Sequence, residues 1–92
     1  MPRDDIVEVE QGAGWKAGTD GPVEAVDLIK VCGRAQVQCR WQDAMPLDSD
    51  HRKSVIWRPD QPQKDVKAPG GAATTLWFFA SWGDTEVYVK HA

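Results

Sequence analysis

The clearest pattern in the chain is a C-terminal pair of apolar runs separated by Gly83 and Asp84. Residues 75–82 read Thr-Leu-Trp-Phe-Phe-Ala-Ser-Trp, and residues 85–92 read Thr-Glu-Val-Tyr-Val-Lys-His-Ala. Aromatic and β-branched runs on both sides of a two-residue turn are typical of a β-hairpin. Because glycine adopts positive φ without a steric penalty, we expect a type II′ turn that starts at Gly83.

The first strand of this hairpin is apolar on both of its faces. Leu76 and Phe78 alternate to one side, and Trp77 and Phe79 alternate to the other. A sheet with one solvated face needs only one apolar face, so we expect the second face to be covered by the chain itself or by a partner. In the hairpin register Phe79 lies opposite Tyr88. The predicted interface is therefore Trp77, Phe79 and Tyr88.

Residues 22–32 fit a helical pattern better than a strand pattern. Five apolar residues share one face of a helical wheel: Ala25, Val26, Leu28, Ile29 and Cys32. Pro22 suits the first helical turn, and Gly33 suits the position after the last turn. A strand would place Asp27 among apolar side chains. We therefore predict a helix over about 22–32.

Three further segments are predicted to form strands. Residues 5–10 place Val7 and Val9 on one face, residues 35–42 alternate apolar and polar side chains, and residues 54–58 form a short apolar run. The segment at about 59–73 contains three prolines and two glycines without a period. We predict a mobile loop there.

Together these elements predict one α+β domain over residues 1–92. A single helix packs on a curled antiparallel sheet of four to five strands that ends in the C-terminal hairpin. The order resembles the layout of cystatin-like rolls. Residues 36–40 lack the valine–glycine spacing of that family, so the layout implies no function. The alternative is an all-β, SH3-like small barrel in which residues 23–32 form a strand.

Composition narrows the class of protein. The chain has 92 residues and a net charge of −3, which disfavours a dedicated nucleic-acid binder. It has no apolar stretch of about 20 residues and no signal-peptide pattern. Cys32 and Cys39 are too few for a disulfide framework, so we predict free thiols and a cytoplasmic location without membrane association.

Few residues of the chain are candidates for metal binding or catalysis. The potential soft or imidazole metal ligands are Cys32, Cys39, His51 and His91, and their spacing fits no zinc motif. The alternation places Cys39 inward between Val37 and Trp41, as a packed thiol. No serine lies in a nucleophile-elbow context and no phosphate loop is present. We therefore predict a protein that is not an enzyme and that uses no metal or cofactor.

The favoured hypothesis is a protein-interaction module. The chain would form a homodimer through Trp77, Phe79 and Tyr88 and would bind a second protein, as small bacterial or phage accessory proteins do. Five tryptophans in 92 residues are consistent with this, because tryptophan is enriched at interfaces.

Two alternatives remain open. The first is a small-molecule-binding roll whose pocket is lined by Trp15, Trp41 and Trp57, with Arg40 or Arg58 as a polar anchor. The second is a nucleic-acid or nucleoprotein binder that uses a local basic patch. That patch would consist of Arg34, Arg40, Arg52, Lys53, Arg58, Lys64 and Lys67.

Overall fold

The computed structural model describes residues 4–19, 21–47 and 54–91, and these form two four-stranded antiparallel sheets. The strands are β1 (Asp4–Val9), β2 (Lys16–Ala17), β3 (Ala25–Val31), β4 (Val37–Trp41), β5 (Val55–Trp57), β6 (Gln63–Lys67), β7 (Leu76–Phe79) and β8 (Thr85–His91). The first sheet has the order β1-β8-β3-β6, and the second has the order β2-β7-β4-β5. A short 3-10 turn (Pro69–Gly71) lies between β6 and β7.

The core lies between the two sheets and is made by alternate residues of five strands. Its members are Val7 and Val9 of β1, Val26, Ile29 and Val31 of β3, Val37 and Cys39 of β4, Leu76 and Phe78 of β7, and Val87 and Val89 of β8, together with Ala80. Phe78 is the largest fully buried side chain. Alternation turns one face of each strand toward this core and the other face outward.

The predicted helix over 22–32 is wrong, because this segment forms the central strand β3. The register against β8 shifts between Val26 and Leu28, as in a β-bulge. The extra residue lets Val26 and Ile29 both face the core while Asp27 stays exposed. The spacing of three residues between the buried Val26 and Ile29 resembles the period of a helix. Because of the bulge, the strand does not place Asp27 among the buried apolar side chains. The β-branched residues of the segment then favour a strand.

The predicted C-terminal hairpin is also wrong, although both of its strands exist. β7 pairs with β2 and β4 in the second sheet, whereas β8 pairs with β1 and β3 in the first. Gly83 does have positive φ, at 138°. The connection therefore carries the chain from one sheet to the other and does not fold β7 back onto β8.

The α+β class is replaced by an all-β class. Within the ranges that the structure covers, about half of the residues are in strands and none is in an α-helix. The all-β alternative thus fits in class, but the two sheets do not close into a barrel. The segment 59–73, expected to be a loop throughout, contains β6. β6 has one apolar residue, Val66, so the sequence contains no apolar alternation that would predict the strand.

The predicted short strands at 5–10, 35–42 and 54–58 correspond to β1, β4 and β5. Val7 and Val9 are buried as expected. Gln38, expected on a solvated face, is buried, and the Ser81 hydroxyl donates a hydrogen bond to its side-chain oxygen.

Candidate functional site

An apolar cleft opens beside β5, the outer strand of the second sheet. It has a volume of about 290 Å³. Its lining residues are Cys39, Arg40, Trp41, Ser54, Val55, Trp57, Pro69 and Leu76. We call this feature the β5 cleft.

Two tryptophans form walls of the β5 cleft. Trp41 ends β4 and lies opposite Leu76 of β7, and Trp57 ends β5 and lies opposite Val37. The Trp57 ring packs against the buried Phe78 ring, with centroids 6.3 Å apart and an interplanar angle of 59°. Both tryptophans are half-buried, so each presents part of its ring to the cleft. Their positions are fixed by regular strand pairing and by core packing.

Cys39 lies in the cleft without the properties of a nucleophile. Its Sγ lies 3.3 Å from the Val55 carbonyl oxygen, to which the thiol donates. Burial raises the pKa of the Cys39 thiol well above its ordinary value, because desolvation disfavours the thiolate. Since the thiolate is the reactive form, Cys39 acts here as a small apolar side chain.

Arg40 borders the cleft, but its guanidinium group is directed away from the interior of the cleft. The Arg40 Nε–H donates to Gln42 Oε1 over 2.8 Å. Alternation along β4 directs Arg40 and Gln42 away from the side occupied by Cys39 and Trp41. The surfaces that face into the cleft are therefore mainly apolar.

The structure brings together only part of the sequence-predicted ligand site. Trp41, Trp57 and Arg40 all line the β5 cleft. Trp15 lies elsewhere, with its ring 5.1 Å from that of Phe79. Arg58 lines a separate hollow at one end of the sandwich.

The sequence-predicted interface is divided between two sheets. Trp77 and Phe79 lie on the outer face of β7, whereas Tyr88 lies on β8 in the other sheet. The chain itself covers much of the β7 face. The Trp77 Nε1–H donates to the Gln42 carbonyl oxygen over 2.8 Å, and Trp15 packs on Phe79. The three residues therefore do not form one patch, and any role for them in partner contact stays a prediction.

The predicted basic patch is likewise dispersed. Arg34 and Arg58 line the hollow at one end, Lys64 and Lys67 belong to β6, and Arg40 borders the β5 cleft. Arg52 and Lys53 lie outside the described residues, as does His51 of the metal search.

Sequence reasoning did not single out Val55, Leu76 or Pro69 as parts of a site. The available signal was the run Val55-Ile56-Trp57, which is apolar at consecutive positions as the β7 run is. In the structure Val55 is 62% exposed and Ile56 is 46% exposed. A strand that is apolar on both faces and exposed on both marks a surface available for contact.

The described part of the chain offers no group of three or more His, Cys, Asp and Glu residues that could hold a metal ion. His91 Nε2 lies 3.0 Å from Asp5 Oδ2, so this imidazole joins the ends of β8 and β1. In the same residues no helix is long and apolar enough to cross a membrane.

Comparison with known proteins gives no family assignment: no family model, no curated protein and no solved structure matches the chain. Function is therefore inferred from the geometry of the residues themselves.

Proposed function

We propose that the chain is a non-enzymatic protein-binding domain that takes an extended apolar segment of a partner protein at the β5 cleft. The observation that carries this proposal is the position of β5. It is the outer strand of the second sheet, its residues Val55 and Ile56 are exposed, and the apolar cleft opens beside it.

Strand addition explains how such a segment would bind. An outer strand presents backbone N–H and C=O groups that a further strand can pair with. Because side chains alternate along the added strand, every second one would point toward the side of Val55 and Trp57. That side leads into the β5 cleft, where Trp41 and Leu76 offer apolar contact. Backbone pairing would supply affinity, and the cleft would select the apolar side chain.

The size of the cleft is compatible with one large apolar side chain of a partner protein. Small-molecule sites usually occupy about 300–1,000 Å³, and the β5 cleft has about 290 Å³. Such a volume suits a large apolar side chain of a longer ligand. The protonated and buried state of Cys39 supports the non-enzymatic part of the proposal. Both cysteines are unpaired, and we propose a reducing compartment, the cytoplasm, as the location.

The proposal is tested by selecting a random-peptide phage library against the full chain. We expect enriched peptides with alternating aromatic or β-branched residues. The variant Val55→Lys should weaken their binding on the order of tenfold or more, because it places a charge at the mouth of an apolar cleft.

Ile6→Lys is the matched control for Val55→Lys. Ile6 is 63% exposed on the outer strand β1 of the first sheet, and Val55 is 62% exposed on the outer strand of the second. Peptide binding that is lost equally in both variants, or in neither, contradicts the proposed site. If no peptide is enriched but an apolar fluorescent probe such as anilinonaphthalene sulfonate binds the parent chain and not Val55→Lys, the small-molecule alternative replaces the proposal.

A further inference from the structure

We propose that the chain forms a twofold dimer through one end of the sandwich, where a basic hollow adjoins an acidic hollow. This surface is separate from the β5 cleft, and the inference does not depend on the function proposed for that cleft.

The basic hollow is formed by the connections that follow β3, β5 and β7. It has a volume of about 550 Å³ and is lined by Arg34, Ala35, Gln36, Arg58, Pro59, Asp60 and Trp82. Trp82 is 48% exposed, unusually open for so large an apolar ring. Within the described ranges, neither guanidinium has a hydrogen-bond or ion-pair partner. Arginine and tryptophan are the residues most enriched among those that dominate binding energy at protein interfaces.

The acidic hollow is formed by β1, β8 and the start of the connection after β3. Four carboxylates line it, and no basic residue does: the acids are Glu8, Glu10, Asp84 and Glu86. Glu8 and Glu86 are direct cross-strand partners in the β1–β8 register. Like charges in that position repel each other. A positively charged partner at this hollow would relieve the repulsion.

The two hollows meet along two stretches of chain. Gly33 lines the acidic hollow and the next residue, Arg34, lines the basic one. Trp82 lines the basic hollow and Asp84, two residues later, lines the acidic one. A twofold axis through this border would set each basic hollow against the acidic hollow of the other copy, with both Trp82 rings near the axis. Such an interface is self-complementary, as twofold symmetry requires.

A second copy of the chain fits this surface better than a nucleic acid does. A polyanion that reached Arg34 and Arg58 would also approach the four carboxylates next to them, which would repel it. A second copy of the chain brings an acidic hollow to the basic hollow and a basic hollow to the acidic hollow. The exposed Trp82 then gains an apolar contact, which an extended phosphate backbone does not provide.

The test exchanges the charges of the two hollows in separate variants. The first variant is Arg34→Glu with Arg58→Glu, and the second is Glu8→Lys, Glu10→Lys and Glu86→Lys. Light scattering over a concentration series, in about 0.05 M salt where surface charges are weakly screened, measures the mass. We expect the parent chain to dimerise and each variant alone to be monomeric. An equimolar mixture of the two variants should dimerise again, because both contacts are then complementary.

Lys64→Glu with Lys67→Glu is the control for net charge. It alters the charge as much as the first variant does, but on β6, and it should still dimerise. Mixed with the second variant, it should form its own homodimer in preference to a heterodimer, because the heterodimer keeps one complementary contact and sets a native basic hollow against lysines in the other. Thermal unfolding verifies that each variant is folded. A monomeric parent chain, a swapped variant that dimerises alone, or a mixture that stays monomeric overturns the proposal.

Discussion

Gly18→Ala tests the packing between β2 and the core. Gly18 follows β2, and its N–H donates to the Leu76 carbonyl oxygen over 2.7 Å. This bond holds the Gly18 backbone directly over the Phe78 ring. A Cβ added at Gly18 would lie 2.8 Å from both Cδ2 and Cζ of Phe78 and would overlap Cε2. Carbon atoms in contact prefer about 3.5–4.0 Å, so the substitution requires Phe78 or the backbone to move.

The Phe78 ring has little room to retreat. It is fully buried, and the Trp57 ring packs against it with centroids 6.3 Å apart. Overpacking of a well-packed core costs about 1–3 kcal/mol. The reduced backbone freedom of the unfolded Gly18→Ala chain offsets about 0.4–1 kcal/mol of this. We expect the free energy of unfolding to fall by about 2 kcal/mol and the Tm to fall on the order of 10 °C.

A double-mutant cycle with Phe78→Leu separates this clash from other effects of the substitution. Urea unfolding of the parent chain, both single variants and the double variant gives the four free energies. Because leucine vacates part of the ring volume, the double variant should lose at least about 0.5 kcal/mol less than the sum of the single losses. A Gly18→Ala variant as stable as the parent chain, or a cycle without coupling, would refute the packing described between Gly18 and Phe78.

Two further predictions concern single side chains. Trp77→Phe removes the indole donor to the Gln42 carbonyl and should cost about 1 kcal/mol in urea unfolding of the monomer. Trp82→Phe, measured on the chain diluted until it is monomeric, should stay within about 0.5 kcal/mol of the parent chain. Equal losses in the two variants would contradict the assigned hydrogen bond. Because burial raises the pKa of Cys39, the unfolded chain releases this thiol proton above about pH 8.5 while the folded chain keeps it. The free energy of unfolding should therefore fall as pH rises from about 8.5 to 10, by at most about 1.4 kcal/mol per unit. The Cys39→Ala variant should lack this part of the fall in the free energy of unfolding. If the free energy of unfolding falls equally with pH in the parent chain and in the variant, the prediction is refuted.

Sequence patterns located most strands of the fold but not their partners. Alternation of apolar and polar residues in the sequence identified β1 and β4, and a short apolar run identified β5. The β3 segment has the spacing of a helix, because one bulge at Asp27 changes the spacing of its inward residues from two to three. A bulge depends on pairing with β8, a neighbour distant in the chain, so the local pattern does not reveal it.

The exchange of sheets between β7 and β8 was hidden for a related reason. Both strands have the composition of hairpin strands, and Gly83 has the positive φ that a tight turn would use. In the structure β7 pairs with β2 and β4, whereas β8 pairs with β1 and β3. Most of these partner strands are distant in the chain, so the sequence around the turn does not reveal them.

The candidate site was partly predictable. The alternation in 35–42 placed Trp41 on the same face as Cys39, and both line the β5 cleft. Trp15 and Arg58 could not be assigned to or excluded from this cleft, because their positions depend on connections between strands. The covering of the β7 outer face by Trp15 and by the segment after β4 is a tertiary contact of the same kind.

The proposed binding site is tested most directly through the five tryptophan indoles. Each gives one Nε1–H signal in a two-dimensional NMR spectrum, and single Trp→Phe variants assign the signals. On addition of a selected peptide, the signals of Trp41 and Trp57 should shift, while those of Trp15, Trp77 and Trp82 should stay in place. Shifts confined to Trp15 and Trp77, with Trp41 and Trp57 unchanged, would contradict binding at the β5 cleft and would return the interface to the outer face of β7.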